Sequence, residues 1–319
     1  MRAWKIENFN SPAKLLIGTE PAPGEGEVLI RVRACALNFA DTLMAAGKYQ
    51  EMPVLPFTPG LECAGEVVSL GPSTHGPAPG TRVACYVGHG GLAEYACVAA
   101  ERLIVIPPSM SFEEGAAFPI AYGTSHLALT HKARLQPGET LLVTGAAGGV
   151  GLTAVEIGKQ LGARVIATAR GEEKLKIAAA AGADVVIDSE IPDLKQQLKA
   201  LGGVDVTYEA VGGASFDAAL SASRPDGRIL AIGFAGGIVP QIKANHLLVK
   251  NVSVMGFWWG GYLHFAPHLL MDSLKELVGW FESGRLHPHV SEILPMEAFL
   301  DGLELLRTRN ATGKVVIKI

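Results

Sequence analysis

Apolar and polar positions change rhythm twice along this chain. Through residue 118, short alternating runs such as Glu27-Val-Leu-Ile-Arg-Val-Arg33, Glu66-Val-Val-Ser69 and Ala93-Glu-Tyr-Ala-Cys-Val98 are separated by Pro/Gly turns such as Pro21-Ala-Pro-Gly24. Alternation turns one face of each run to a core and the other to water, so this part predicts an antiparallel, barrel-like β module. From 119 to 256 the runs become mostly apolar rather than alternating, at 140–144, 164–168, 184–187, 205–208, 228–232 and 253–255, with helical segments between them. Strands covered on both faces and alternating with helices predict a doubly wound parallel sheet. The last segment, 257–319, predicts helices over 269–283 and 296–307, then a strand, Lys314-Val-Val-Ile-Lys-Ile319, that rejoins the first module. The fold class is α/β: a discontinuous, mostly β domain (1–118 and 257–319) around a parallel-sheet domain (119–256).

Composition narrows the function classes. A length of 319 residues suits about two domains with substantial cores. With 49% hydrophobic and 18% charged residues the chain is too apolar to be disordered. A net charge of −4 without a basic block argues against a nucleic-acid partner. The N-terminal Met-Arg-Ala-Trp-Lys-Ile-Glu alternates like a strand rather than a leader, and charge or Gly/Pro interrupts every apolar stretch before about 18 residues, so no membrane span and a cytoplasmic protein are expected. Cys35, Cys63, Cys85 and Cys97 form no C-x-x-C pair and read as reduced structural thiols.

The chemistry begins at the first apolar strand of the central domain. Glu139-Thr-Leu-Leu-Val-Thr-Gly-Ala-Ala-Gly-Gly-Val-Gly151 is a strand, a glycine-rich turn and the start of a helix. Such a turn lets backbone N–H groups and the positive end of the helix dipole meet a pyrophosphate. Gly148 allows close backbone approach and Gly151 close helix–strand packing, whereas Ala146 takes the place of the first glycine of the G-x-G-x-x-G template. Ala146, Gly148, Gly149 and Val150 are the candidate pyrophosphate contacts. About 20 residues on, an NAD-specific protein places a carboxylate on the ribose. Here stand Thr168, Ala169 and Arg170, with Lys174 beyond. A guanidinium suits a 2′-phosphate, so the expected cofactor is NADPH; the plainer alternative for Arg170 and Lys174 is a solvated helix start, with Glu172 and Glu173 offsetting their charge.

Asn38-Phe-Ala-Asp41, Gly47-Lys-Tyr49, Pro59-Gly-Leu-Glu-Cys-Ala-Gly65, Gly91-Leu-Ala-Glu-Tyr95, Ala146-Ala-Gly-Gly-Val-Gly151, Val204-Asp-Val-Thr-Tyr-Glu209 and Gly313-Lys-Val-Val316 follow one another along the chain. In this order, nearly end to end, they resemble the zinc-independent quinone oxidoreductase branch of the medium-chain dehydrogenase/reductase superfamily. The resemblance implies a GroES-like catalytic domain, a Rossmann cofactor domain, a cleft between them and a homodimer. The zinc-dependent relatives carry metal ligands where this chain has Asn38, Gly60-Leu61-Glu62 and Pro119-Ile120. Leucine cannot ligate, and the four-cysteine structural lobe is missing, so no metal is expected. His287-Pro-His289 and the pair His264 and His268 lack a third ligand.

Without a metal to polarise an alcohol, the expected reaction is hydride transfer from NADPH to an electron-poor small molecule, a quinone first. An enone or enoyl-thioester is the alternative acceptor, and a non-catalytic NADPH-binding protein is the reading from another class. By resemblance, Asn38 and Tyr49 are the candidate catalytic groups facing the acceptor. Thr124 matches a position beside the nicotinamide, and Gly233, Phe234 and Phe257 lie on loops after strands, where a doubly wound fold places its ligand. Phe257, Trp258 and Trp259 read either as a wall of the site or as packing. Asp41 is expected to cap or orient its helix, and Glu62 to anchor a loop through an Arg or Lys.

Overall fold

The run that opens at Glu27 continues as an eleven-residue strand to Leu37, and its second half, through Cys35, Ala36 and Leu37, is buried on both faces. Alternation holds only through its middle, where exposed Arg31 and half-buried Arg33 stand between buried Ile30, Val32 and Ala34. A computed structural model describes residues 1–319. Along the chain its strands are β1 (Arg2–Lys5), β2 (Lys14–Ile17), β3 (Glu27–Leu37), β4 (Glu62–Leu70), β5 (Arg82–Tyr86), β6 (Tyr95–Ala99), β7 (Leu103–Val105), β8 (Thr140–Thr144), β9 (Arg164–Ala169), β10 (Val185–Asp188), β11 (Val204–Glu209), β12 (Ser223–Ala231), β13 (Ser253–Gly256), β14 (Val290–Pro295) and β15 (Lys314–Lys318).

Two units divide the chain: Met1–Ile120 with Leu274–Ile319, and Ala121–Ser273. In the first, the main sheet runs β14-β15-β3-β4-β5-β7, with β6 also on β3. The C-terminal strand does rejoin the N-terminal module, β15 lying antiparallel to β3 with Val315 opposite Leu37. On the other side of β3, Ala36 stands opposite Glu62 of β4. Trp4 and Phe299, with ring centroids 5.1 Å apart, help close this core, and the Trp4 indole N–H donates to the Met296 carbonyl at 2.8 Å.

The second unit holds a wholly parallel sheet in the order β10-β9-β8-β11-β12-β13. The strand order reverses at β8, and the carboxyl ends of the strands around such a switch point are where doubly wound sheets place ligands. Every residue of β8 is buried, as its unbroken apolar pattern implies. Residues 257–273, expected with the first domain, group with this unit instead. The Phe257 N–H donates to Ala231, its ring lies 5.4 Å from Tyr262, and His126 Nδ1 meets Ser273 Oγ at 2.8 Å. Loop and short-helix packing of this kind has no period, so hydrophobic spacing does not reveal which unit it joins. No helix is long and apolar enough to cross a membrane.

Candidate active site

The glycine turn follows directly from β8. Gly145 takes the left-handed conformation at φ 60°, and its carbonyl accepts from Gly148 N–H at 3.0 Å. The glycine required by backbone conformation is thus Gly145, one place before the Ala146 that the template singles out. Ala146 is fully buried and its N–H donates to Thr168 of β9 at 2.9 Å, pinning the turn to the neighbouring strand. Gly151 is demanded by packing: a Cβ there would lie 2.2 Å from the Gly145 oxygen. Gly148 is not, because its Cβ would meet nothing closer than 3.4 Å. Bare backbone there leaves room for a ligand rather than for the protein itself.

Gly148 caps the helix Gly149–Gln160 without a side-chain cap, and the first i→i−4 bond is Leu152 N–H to Gly148 at 2.9 Å. The N–H groups of Gly149 and Val150 have no partner within the helix and lie at its positive end, a donor set that fits a pyrophosphate. Thr124 is buried on the helix Pro119–Leu127, which is tied to this turn by Ser125 Oγ donating to Val150 at 3.0 Å. Ser125 also meets Thr153 at 2.8 Å and the Tyr208 hydroxyl at 3.1 Å.

Arg170, just past β9, is half exposed and only loosely paired, its Nε 3.9 Å from Glu190. Lys174 is half-buried on the helix Glu172–Ala180. Beyond β11, Glu209 organises the neighbouring loop: its buried Oε1 accepts from Thr144 Oγ1 at 2.9 Å and from the Val211 and Gly212 N–H groups at 2.7 and 2.8 Å. Burial pushes its carboxyl up, against those hydrogen bonds. Sequence reading gave Glu209 no role; the usable signal was an acid at the carboxyl end of an apolar strand, directly before Val211-Gly-Gly. Gly233 and Phe234 sit on the loop after β12, and Phe234 is exposed. Phe257 and Trp259 are buried, so of the three successive aromatics only the Trp258 ring is exposed.

The first unit assembles a polar cluster at one end of its sheet. Register brings it together: Asn38 directly follows β3, Lys314 opens the antiparallel β15, and Glu62 opens β4. Lys314 Nζ donates to Asn38 Oδ1 and to Glu62 Oε1, both at 2.7 Å, and Asn38 Nδ2 donates to Glu62 Oε1 at 2.8 Å. Ile120 N–H donates to Glu62 Oε2 at 2.8 Å, using one of the orphan donors of a helix start. The Glu62 and Lys314 side chains are 0% and 7% exposed. Removing one partner of such a pair costs about 3–5 kcal/mol, since the other is left charged and buried. Lys314 belongs to the terminal motif but drew no role from sequence, for only tertiary pairing places it beside Asn38.

Asp41, on the helix Phe39–Ala45, accepts from Asn38 N–H at 2.8 Å, which is the expected capping contact. Burial raises its carboxyl to about 7, against the backbone hydrogen bonds of Asn38 and Gly60 that favour the charge. Tyr49 is half-buried in the bend after this helix. It lies near Tyr86, whose phenol is pushed up by burial, with Tyr49 and Glu51 adding to the effect.

At the positions corresponding to metal ligands the residues do not fit zinc. Asn38 and Glu62 are bonded to an ammonium, Leu61 is buried and has no donor atom, and no group of three His, Cys, Asp or Glu side chains could hold an ion. Cys35, Cys63 and Cys85 stand side by side across β3, β4 and β5 as core residues, with Cys63 and Cys85 sulfurs 3.6 Å apart.

A β unit joined to a doubly wound sheet with an open glycine turn defines the class of medium-chain dehydrogenases. Family models agree: an alcohol dehydrogenase GroES-like domain matches residues 24–108 and a zinc-binding dehydrogenase domain residues 149–276. The quinone oxidoreductase-like protein 2 homolog of Nematostella vectensis is 42% identical over 92% of this chain and 82% of its own length. A crystal structure of quinone oxidoreductase from Thermus thermophilus, described together with its NADPH complex, is 35% identical, covers both chains completely and superposes with a TM-score of 0.88. The Escherichia coli quinone oxidoreductase complexed with NADPH gives 27%, complete coverage of both chains and 0.91. The chain belongs to the quinone oxidoreductase-like branch of the medium-chain dehydrogenase/reductase superfamily, a branch of oxidoreductase enzymes.

Proposed function

We propose that this protein is a cytoplasmic, zinc-independent NADPH-dependent quinone reductase, working as a homodimer. The observation that carries the reading is the Asn38–Glu62–Lys314 cluster: where alcohol chemistry would need metal ligands, the chain has a closed hydrogen-bonded set around an ammonium. A protein so built suits an acceptor that is already electron-poor. NADPH, when bound, supplies the hydride from its nicotinamide ring. The chain's part is to hold and orient both molecules and to donate hydrogen bonds to the oxygen on which charge develops. The Gly148–Val150 turn takes the pyrophosphate, Arg170 and Lys174 the 2′-phosphate, and Thr124, Gly233, Phe234 and Phe257 border the cofactor. Asn38 and Tyr49 face the acceptor. Two quinone oxidoreductases of the same fold have been crystallised as complexes with NADPH, which supports the choice of cofactor.

The test is cofactor oxidation by the purified protein with an ortho-quinone, a para-quinone and a conjugated enone, NADPH and NADH in parallel. Quinone-dependent loss of NADPH is expected, with Tyr49→Phe lowering turnover at an unchanged NADPH KM. Activity with the enone alone would replace quinone by enone as the substrate class. No turnover with any acceptor, alongside measurable NADPH binding, would make the protein a binding protein rather than a reductase.

A further inference from the structure

Asn38 occupies the N-cap of the helix Phe39–Ala45, a place where asparagine normally spends its side-chain oxygen on the first-turn N–H groups. Here it does not. The helix start is served by backbone and by Asp41, with Asp41 N–H donating to the Asn38 carbonyl at 2.9 Å and the Asp41 carboxylate accepting from Asn38 N–H. The Asn38 amide is turned instead to Lys314 and Glu62.

That pair leaves the amide one orientation. Its oxygen meets an ammonium and its nitrogen a carboxylate; rotated by 180°, it would set N–H against Lys314 and oxygen against Glu62, two repulsive contacts in a buried site. Glu62 takes one of the two Nδ2 hydrogens, so one remains. Glu62 and Lys314 are sealed from solvent, and Asn38 is the member of the trio that is partly exposed. The spare N–H is the donor that the trio can offer to a ligand.

We propose that Lys314, gripped by Glu62, is a positioning residue for the reduction: it locks the Asn38 amide so that its spare N–H is presented to the acceptor oxygen. The inference rests on the reading that Asn38 faces the acceptor. Lys314 itself touches no substrate. It acts by selecting which face of the amide is offered, which matters because an oxyanion is stabilised by a donor held ready, and a carbonyl in its place repels the developing charge.

A double-mutant cycle tests this, with kcat and KM measured for NADPH and a para-quinone. The variants are Asn38→Ala, the charge-neutral pair Lys314→Met with Glu62→Gln, and all three together. The neutral pair avoids leaving one buried charge unpaired, and Lys314→Met alone is compared with it by circular dichroism and melting temperature. Asn38→Ala and the neutral pair are each expected to lower kcat about tenfold or more with NADPH KM unchanged. The triple variant should be no slower than Asn38→Ala, because the pair has nothing left to position. Losses that multiply in the triple variant would overturn the proposal, as would a neutral pair that folds and turns over like wild type. An Asn38→Ala variant with wild-type kcat would overturn the parent reading of Asn38 instead. If the neutral pair does not fold, Lys314→Arg, which keeps the cation but alters its reach, decides: a lowered kcat at native melting temperature, absent in the Asn38→Ala background, supports positioning, and an equal loss in both backgrounds refutes it.

Discussion

At Asp41, burial and hydrogen bonding oppose each other. Burial penalises the charge, Asn38 N–H and Lys314 favour it, Glu62 disfavours it, and the result is a carboxyl titrating at about 7 instead of 3.8. Between those values the folded protein holds a proton that the unfolded chain has released, so this group lowers stability as pH rises from about 4 to about 7 and no further above it. Asp41→Asn should remove that slope. Urea midpoints at pH 5 and pH 8 should differ less in the variant than in wild type, with about 2–4 kcal/mol at stake at most; equal differences would show that Asp41 does not titrate in this range. Arg170 is the contrasting case, a half-exposed guanidinium with one loose partner. Nothing in the fold engages it tightly, which suits a ligand contact. Arg170→Ala should raise the NADPH KM about ten- to hundredfold and leave that for NADH alone; an equal effect on both cofactors would take Arg170 off the 2′-phosphate.

The turn between β8 and its helix shows what an element asks of its glycines. Gly148 and Gly151 look alike in sequence, yet a Cβ at Gly151 collides with the Gly145 carbonyl, and one at Gly148 meets only ordinary contact distance. Gly151→Ala should therefore destabilise the protein by about 2–4 kcal/mol or prevent folding. Gly148→Ala should fold with a loss of about 1 kcal/mol, because glycine is accepted at an N-cap and alanine is not, while NADPH affinity falls at least about tenfold. Calorimetry and NADPH titration on the two variants separate the roles; a Gly148→Ala protein that binds NADPH normally would mean the turn does not approach the cofactor. The strand–turn–helix was legible from sequence because each part obeys a local rule. Gly145 as the left-handed residue was not, since the template counts glycines and the backbone counts angles.

At the scale of the molecule, the parallel sheet ends at β13, and the nearby segment carries apolar side chains into solvent: Ile238, Val239 and, on the helix Ala244–Lys250, Leu248 and Val249, the last two about three-quarters exposed. An exposed edge with apolar flanks supports self-association. In the homodimer we propose, Leu248→Asp should leave a monomer in light scattering, with the parallel sheet's circular dichroism retained; a dimer that persists would locate the contact elsewhere, and a wild-type monomer would remove the homodimer itself.

Local pattern was enough for the six strands of the parallel sheet, the strand that returns from the C-terminus, and the glycine turn between β8 and its helix, because hydrophobic period and glycine placement are set by near neighbours in the chain. Resemblance to the family, not local pattern, singled out Asn38 and drew attention to Glu62, and it did not give what binds them. Lys314 lies 276 positions from Asn38, and its place beside it depends on the antiparallel register of β15 on β3. Likewise the membership of 257–273, the organising role of Glu209 and the burial of Phe257 and Trp259 follow from packing between distant segments. The sequence by itself determined the layers of the fold and the strand, glycine turn and helix on which the proposed cofactor site is built; the tertiary structure decided which charged groups face one another, because register and burial are properties of paired strands and packed surfaces, not of any one stretch of chain.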